Sequence, residues 1–178
     1  GILMIADEVQ TGFARTGDMF ACDHEGVTPD VYVLGKALGG GIMPVSAVCA
    51  DEDIQGVFEP GSHGATLGGN PLACAVALKT LEIVRRDDYP RMAREKGELF
   101  MSELRSIEND EIKDIRGRGL LIGAEFSVPA APYVARLAKE GILAKETHER
   151  TIRFAPPVNI PIEELNEAIV RIKAAFGK

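Results

Sequence analysis

The sequence has 178 residues, a formal charge of −7 and 46% hydrophobic residues, an ordinary composition for a globular protein. Its 20 basic and 27 acidic residues are mixed along the chain, so we expect no continuous basic surface and no nucleic-acid partner. No apolar stretch approaches the roughly 20 residues that span a bilayer, and the first residues lack the basic region of a signal peptide. The expected location is therefore the cytoplasm or an organellar matrix, with no membrane partner.

The first part of the chain contains three apolar runs that predict strands, at residues 2–6, 31–34 and 45–50. The first two runs are continuous rather than alternating, which is typical of strands covered on both faces in parallel α/β sheets. Between them, residues 10–30 are interrupted by glycines and a proline. This segment predicts a functional loop with one short turn or helix.

The later part of the chain has a different pattern, dominated by amphipathic helices. Asn70-Pro71 is a typical helix start. We predict helices at residues 72–86, 91–107, 131–140 and 163–176, one or two strands within 112–126, and a pair of strands within 142–154. The composition changes near residue 86, so we place a domain boundary there and expect domains at residues 1–86 and 87–178.

The cysteines and histidines do not suggest a metal centre. The three cysteines are odd in number and far apart, which favours reduced thiols in the core over disulfides or a zinc site. The three histidines have no metal-ligand spacing either, so we expect no metal and treat them as non-catalytic. These residues are Cys22, Cys49, Cys74, His24, His63 and His148.

Asp7 and Lys36 each follow a predicted strand and are the most informative residues of the chain. A lysine at the end of a buried strand can lose its proton and attack an aldehyde, while a carboxylate beside it can keep a pyridinium nitrogen charged. These are the two protein groups that pyridoxal phosphate chemistry requires.

The run I-L-M-I-A-D-E (2–8) also resembles the strand that holds magnesium in nucleoside triphosphatases. That class of enzyme requires a G-x-x-x-x-G-K-[ST] loop. The Gly-Lys pair Gly35-Lys36 is followed by Ala37, has Asp30 in place of the first glycine, and comes after the acidic strand. The mismatch argues against a triphosphatase.

Five motifs follow one another along the chain: D-E-V-Q-T-G (7–12), R-T-G (15–17), L-G-K-A-L-G-G-G (34–41), H-G-A-T-L-G-G-N-P (63–71) and I-R-F-A-P-P (152–157). Together they resemble the class III, or ornithine aminotransferase-like, branch of the fold-type I pyridoxal phosphate enzymes. The resemblance covers the later part of a family chain. It implies an α/β fold, made of the later part of the large cofactor-binding domain and a small α+β C-terminal domain, and it implies a piece of a longer protein.

The resemblance also implies the role of each site residue and pyridoxal 5'-phosphate as the cofactor. Lys36 matches the lysine that binds the cofactor covalently and then carries the proton, and Asp7 matches the partner of the pyridine nitrogen. Val9 matches the residue that packs on the ring, and Gln10 matches the one that bonds the phenolic oxygen. Thr66 matches the hydroxyl that reaches the phosphate of the other subunit, which implies a homodimer with shared active sites.

Arg153 lies in a short apolar strand, where a guanidinium is costly unless it is paired with an anion. Its planar geometry suits a carboxylate. The family match is to the arginine that binds the carboxylate of glutamate or 2-oxoglutarate. Arg15 belongs to a family motif too, but its spacing implies no role.

The stretch at residues 141–157 resembles the ornithine-specific members of the branch. The implied reaction is transfer of the terminal amine of ornithine to 2-oxoglutarate, in proline and arginine metabolism, with small amino acids and 2-oxo acids as partners. Acetylornithine and 4-aminobutyrate transaminases share Asp7, Gln10, Lys36 and Thr66 and stay open as alternatives. So does a catalytically inert fragment, because the isolated chain is expected to be inactive or nearly so.

Overall fold

Three short strands form the first sheet of this computed structural model, which describes residues 1–177. They are β1 (Ile5–Asp7), β2 (Val31–Leu34) and β3 (Ala47–Ala50). β1 pairs with β2 in parallel, and β3 pairs with β2 in the antiparallel direction. The prediction for residues 31–34 is confirmed, while the other two strands are shorter than their apolar runs.

The expectation that the apolar strands are buried on both faces is wrong for β1 in the described chain. Ile2 is 98% exposed and Ile5 is 65% exposed. On β3, Val48 is also exposed. The reason is that a strand is buried only where another layer or strand covers it, and no element of residues 1–177 covers these side chains.

The chain divides into two compact units. Unit 1 contains residues 1–14 and 18–89, and unit 2 contains residues 15–17 together with the chain from Pro90 onward. The three residues Arg15–Gly17 therefore belong to unit 2, although both of their flanks belong to unit 1.

Unit 1 adds two α-helices, α1 (Glu52–Gln55) and α2 (Pro71–Arg86), to its sheet. The predicted start of α2 is confirmed: Asn70 is the N-cap, and its side chain accepts a hydrogen bond of 2.9 Å from the Ala73 amide. The predicted loop between β1 and β2 contains one short 3₁₀ helix at Ala21–Glu25. The small buried core of unit 1 contains Phe13, Leu34 and Leu38.

Unit 2 is an antiparallel sheet packed against helices. Its strands are β4 (Ile112–Arg118), β5 (Leu121–Phe126), β6 (Lys145–Thr147) and β7 (Thr151–Phe154), in the order β4-β5-β7-β6. Its helices are α3, which runs over Tyr89–Arg105 from the last residue of unit 1, α4 (Ala131–Lys139) and α5 (Ile162–Phe176). Predicted and observed bounds agree within two residues for these helices. The largest fully buried side chains of its core are Phe100, Leu104, Leu120, Ile122, Phe126, Leu137, Ile152, Leu165, Ile172 and Phe176.

All three cysteines are free thiols, as predicted, but their predicted place in the core is wrong for two of them. Cys49 and Cys74 are exposed, and Cys22 is partly buried. An apolar sequence context does not by itself bury a side chain. Among residues 1–177, no helix has the length and apolar character needed to cross a membrane.

A buried carboxylate, Glu8, organises the loop that follows β1. Glu8 is 2% exposed, and its carboxylate accepts hydrogen bonds from the Thr11 hydroxyl and, at 3.0 Å, from the Cys22 amide. Burial raises the pKa of Glu8, but the hydrogen bonds from Thr11 and from the amides of Ala21 and Cys22 outweigh burial and leave the pKa below its ordinary value. Glu8 is therefore an anion that ties the start of this loop to Cys22.

Two glycines of unit 2 let a helix and a turn come close together. A Cβ atom added at Gly97, in α3, would lie 2.1 Å from the Gly119 carbonyl oxygen in the β4–β5 turn. Gly119 has a φ of +52° and is buried, so it too has no room for a side chain. This contact requires glycine at residue 97 because the backbone of the turn occupies the space of a side chain.

We expect the substitution Gly97→Ala to lower the free energy of unfolding by roughly 1–3 kcal/mol, because the new methyl group forces the turn away from α3. The change is measured by urea denaturation of the complete gene product. Glu98→Ala, at the exposed neighbouring position, is the matched control and should stay within about 0.5 kcal/mol of the parent. Equal stability of the Gly97→Ala variant and the parent would contradict the contact.

We expect Glu8→Gln to destabilise the protein by roughly 1–3 kcal/mol at pH 7, because the charged hydrogen bonds of the carboxylate are lost. Since the folded pKa of Glu8 is lowered, its contribution is present above the unfolded pKa and is lost as the pH falls through the folded pKa. The difference between variant and parent should therefore shrink below about pH 4.5, the ordinary value. Urea denaturation from pH 3 to pH 7 measures it, with the exposed Glu59→Gln as the control; a constant difference across that range would count against the prediction.

Candidate active site

The parallel pairing of β1 and β2 places the carboxyl ends of both strands at one edge of the sheet. Asp7 ends β1 opposite Val33, and the Glu8 amide donates a hydrogen bond of 2.9 Å to the Val33 carbonyl. Lys36 follows β2 after a single residue. In α/β sheets, this edge is where ligands usually bind. Asp7 and Lys36, predicted as a pair, thus leave neighbouring strands at the same edge.

Lys36 adopts a strained backbone conformation. It begins a 3₁₀ helix, Lys36–Gly39, with a φ of +42°, which is rare for a residue with a side chain. Strain of this kind is concentrated at functional sites. The side chain is exposed and makes no hydrogen bond or ion pair with any residue of 1–177, so the burial that the sequence suggested is not supplied by the described chain.

The glycines after Lys36 form a tight turn. Gly40 and Gly41 have φ values of +59° and +74°. A Cβ atom at Gly40 would lie 2.7 Å from the Thr80 hydroxyl oxygen in α2. The turn therefore brings α2 against the backbone that carries Lys36, and it leaves no room for a side chain at Gly40.

Asp7 is exposed, and its Oδ1 accepts a hydrogen bond of 3.0 Å from the Val9 amide. Val9 lies against Gly35, where an added Cβ would be 3.5 Å from Val9 Cγ1. Asp7, Val9 and the backbone before Lys36 are thus brought together. Gln10 is exposed and makes no hydrogen bond within the described residues.

Glu8 is the residue whose importance the sequence did not reveal. It is buried where its neighbour Asp7 is exposed, and it holds the loop from which Val9 and Gln10 extend. The available signal was the spacing of Glu8 and Thr11 after a strand, which resembles a capping pair, but that pattern does not distinguish a buried anchor from a surface turn.

Thr66 is exposed in a turn that is closed by a hydrogen bond of 3.0 Å from the Gly68 amide to the Ala65 carbonyl. Its hydroxyl has no hydrogen-bond partner among residues 1–177. The structure does not bring Thr66 into contact with Asp7 or Lys36.

Arg153 lies in β7, opposite Gly123 of β5 and Lys145 of β6. Ile152 and Phe154 point into the core, but Arg153 is exposed, so the expectation of a costly buried guanidinium is wrong. The period of a strand places alternate side chains on opposite faces, and Arg153 is on the outer face. Lys145 is directly across from it, and neither cation has an acidic partner among the described residues.

An apolar cavity of about 300 Å³ in unit 2 is lined by Arg153 and by residues 154–157 that follow it. Its other walls come from the loop at residues 141–143 and from α3 and α5. Among the described residues that line this cavity, Arg153 is the only charged one. Arg153 is therefore the residue that can form an ion pair with an anion at the cavity.

The groups at the sheet edge suit pyridoxal phosphate in chemistry. A primary amine without a partner can bind an aldehyde covalently, and an exposed carboxylate can hold a protonated ring nitrogen. An apolar side chain, Val9, lies against Gly35, the residue before Lys36. Among residues 1–177, no group of three or more histidine, cysteine or acidic side chains is arranged to hold a metal ion.

The comparisons with known proteins agree on one family. The model of the class III aminotransferases matches residues 1–176. The chain is 56% identical over 172 residues to an ornithine aminotransferase of Bacillus subtilis, and 54% identical over 176 residues to one of a Geobacillus species. These alignments cover 97% and 99% of the chain but only 43% and 44% of the two relatives, so the chain spans less than half of their length.

Solved structures give the same result for the fold. A Toxoplasma gondii ornithine aminotransferase matches 98% of the chain with a TM-score of 0.94 and 42% identity, and 42% of that protein is covered. An acetylornithine aminotransferase from Elizabethkingia anophelis matches 98% of the chain with a TM-score of 0.92 and 44% identity, and 45% of it is covered. The fold is the α/β fold of fold-type I, as predicted, and the chain belongs to the class III aminotransferase family.

Proposed function

We propose that this chain is part of an ornithine δ-aminotransferase. The enzyme transfers the terminal amine of ornithine to 2-oxoglutarate, giving glutamate 5-semialdehyde and glutamate. The observation that carries the proposal is the sheet edge at which the strands before Asp7 and Lys36 both end. The chain is also 52–56% identical to several bacterial ornithine aminotransferases. The T. gondii relative is described with pyridoxal phosphate partially occupying its active site.

The cofactor, when bound, supplies an electron sink for the carbon that loses its proton. Lys36 would anchor the cofactor and, with its amine free, would move the proton at the reacting carbon. Asp7 would hold the ring nitrogen protonated through its exposed carboxylate, and Val9 would pack on the ring. Gln10 would bond the phenolic oxygen.

Arg153 binds a carboxylate of the 2-oxo acid. Its support is the absence of any acidic partner among residues 1–177 and the neighbouring charge of Lys145. Like charges directly opposite each other on a sheet are unfavourable, and an anion bound at Arg153 removes that cost.

The two units correspond, in this proposal, to the later part of the large cofactor-binding domain and to the small C-terminal domain. Thr66 reaches the cofactor phosphate of a second subunit, so the enzyme is a homodimer with shared active sites. We also propose a cytoplasmic location.

A second candidate function is acetylornithine aminotransferase. It is favoured by the E. anophelis enzyme, whose fold and identity to this chain are similar to those of the ornithine enzymes. The residues at the sheet edge serve both reactions, so they do not separate the two candidates.

We expect Lys36→Ala to lower transaminase turnover by about 10³-fold or more, because anchor and proton carrier are lost together. The assay uses the polypeptide as its gene encodes it, loaded with pyridoxal phosphate. After borohydride reduction, mass spectrometry should find the cofactor attached to Lys36 in the parent and not in the variant. Lys79→Ala, the other lysine of unit 1, is the control; normal turnover by Lys36→Ala would refute the assignment.

We expect ornithine to be a better donor than N-acetylornithine or 4-aminobutyrate by about tenfold or more in kcat/KM. Steady-state kinetics with 2-oxoglutarate as the common acceptor compare the three donors. A preference for N-acetylornithine would favour the second candidate. Absence of turnover with all three would favour an inert chain.

A further inference from the structure

The segment Arg15–Gly17, which we call the strap, is held tightly by unit 2. The Leu120 amide donates a hydrogen bond of 3.0 Å to the Arg15 carbonyl, and the Arg94 guanidinium donates to the Gly17 carbonyl. Thr16 is 5% exposed and lies against Gly119. The strap is therefore a fixed part of unit 2.

Arg15 uses its side chain to join two distant parts of unit 2. Its Nη1 donates to the Leu120 carbonyl at 3.1 Å and to the Pro156 carbonyl at 2.5 Å. The guanidinium is partly buried, and burial lowers the pKa of Arg15. No carboxylate among residues 1–177 lies at ion-pair distance. The side chain therefore bears a desolvation cost and gains contacts to backbone carbonyls alone.

The Pro156 carbonyl belongs to the segment that follows Arg153. Pro156 and Pro157 have no amide hydrogen, so this segment can be tied down there only through its carbonyls. The Ile160 amide binds the Pro157 carbonyl at 3.0 Å, and Arg15 binds the one before it. Arg15 thus fixes the chain three residues after Arg153.

Arg153 itself is not oriented by any side-chain partner in the described chain. Its neighbour across the strands is a second cation, Lys145. The direction of its guanidinium therefore depends on the backbone of β7 and on the segment that Arg15 holds. A shift of this segment would move Arg153 relative to a bound carboxylate.

We propose that Arg15 is a positioning residue for Arg153: by holding the Pro156 carbonyl, it sets the place at which Arg153 meets the carboxylate of the 2-oxo acid. This inference rests on the proposed function and assigns a role to the R-T-G motif, for which the sequence implied none. It concerns the second half-reaction, in which the 2-oxo acid takes up the amine.

The test is the substitution Arg15→Lys in the cofactor-loaded polypeptide as its gene encodes it. Lysine keeps the charge, but its side chain is one bond shorter, so its amine cannot take the place of Nη1 between the two carbonyls. We expect KM for 2-oxoglutarate to rise by about tenfold, while the first half-reaction with ornithine changes less than about twofold. The dissociation constant of glutarate, a dicarboxylate that does not react, should rise by about the same tenfold factor in calorimetry.

Arg105→Lys is the matched control. Arg105 also lies in unit 2 and donates to a backbone carbonyl, that of Ile115, at 2.9 Å. Its substitution should leave both half-reactions unchanged. If thermal denaturation shows that Arg15→Lys folds poorly, Arg15→Gln is used in its place. We expect the same result from it: a higher KM for 2-oxoglutarate and a nearly unchanged first half-reaction.

A double-mutant cycle separates positioning from general structural support. If Arg15 acts through Arg153, the variant with both Arg15→Lys and Arg153→Lys should have the same KM for 2-oxoglutarate as Arg153→Lys alone. Additive effects, or equal losses in both half-reactions, would overturn the proposal. The failure of this proposal can be told apart from the failure of the proposed function. An active parent protein with a normal Arg15→Lys variant refutes only the positioning role. An active Lys36→Ala variant refutes the function.

Discussion

The parallel pairing of β1 with β2 is the constraint on which the proposed chemistry depends. Asp7 and Lys36 are separated by twenty-eight residues of loop and strand, and only the register of the two strands brings their ends to one edge. The buried Glu8 then anchors the loop between them, and Val9 packs against Gly35. These contacts are all made within unit 1.

The sheet of unit 1 leaves large apolar side chains exposed. Ile2, Ile5 and Val48 are each more than half exposed, although folded chains rarely leave such side chains in contiguous groups. The relatives are more than twice as long as this chain. The exposed surface and the partial coverage of the relatives are thus consistent with each other.

Unit 2 combines its hydrophobic core with a close backbone contact between a helix and a turn. Gly97 and Gly119 allow α3 to approach the β4–β5 turn, and the strap lies against the same turn. Arg15 extends this contact to Pro156, beside the strand of Arg153. A single arginine therefore connects the most tightly packed part of unit 2 with the residue proposed to bind substrate.

Most of the secondary structure was predictable from the sequence because its signals are local. The run 31–34, the Asn70-Pro71 helix start and the amphipathic stripe of α5 each depend on neighbouring residues, and the structure confirms them. The antiparallel direction of β3 was not predictable, because strand direction depends on pairing partners that are distant in sequence.

For the site, the sequence by itself determined which residues can supply an amine, a carboxylate and a guanidinium, and in which order they occur. Only the tertiary structure decided that Glu8 is buried while Asp7 is exposed, that Arg153 faces outward, and that Arg15 contacts Leu120 and Pro156. The physical reason is that burial and long-range hydrogen bonds depend on what packs against a residue. Chemical capacity, in contrast, belongs to the residue itself.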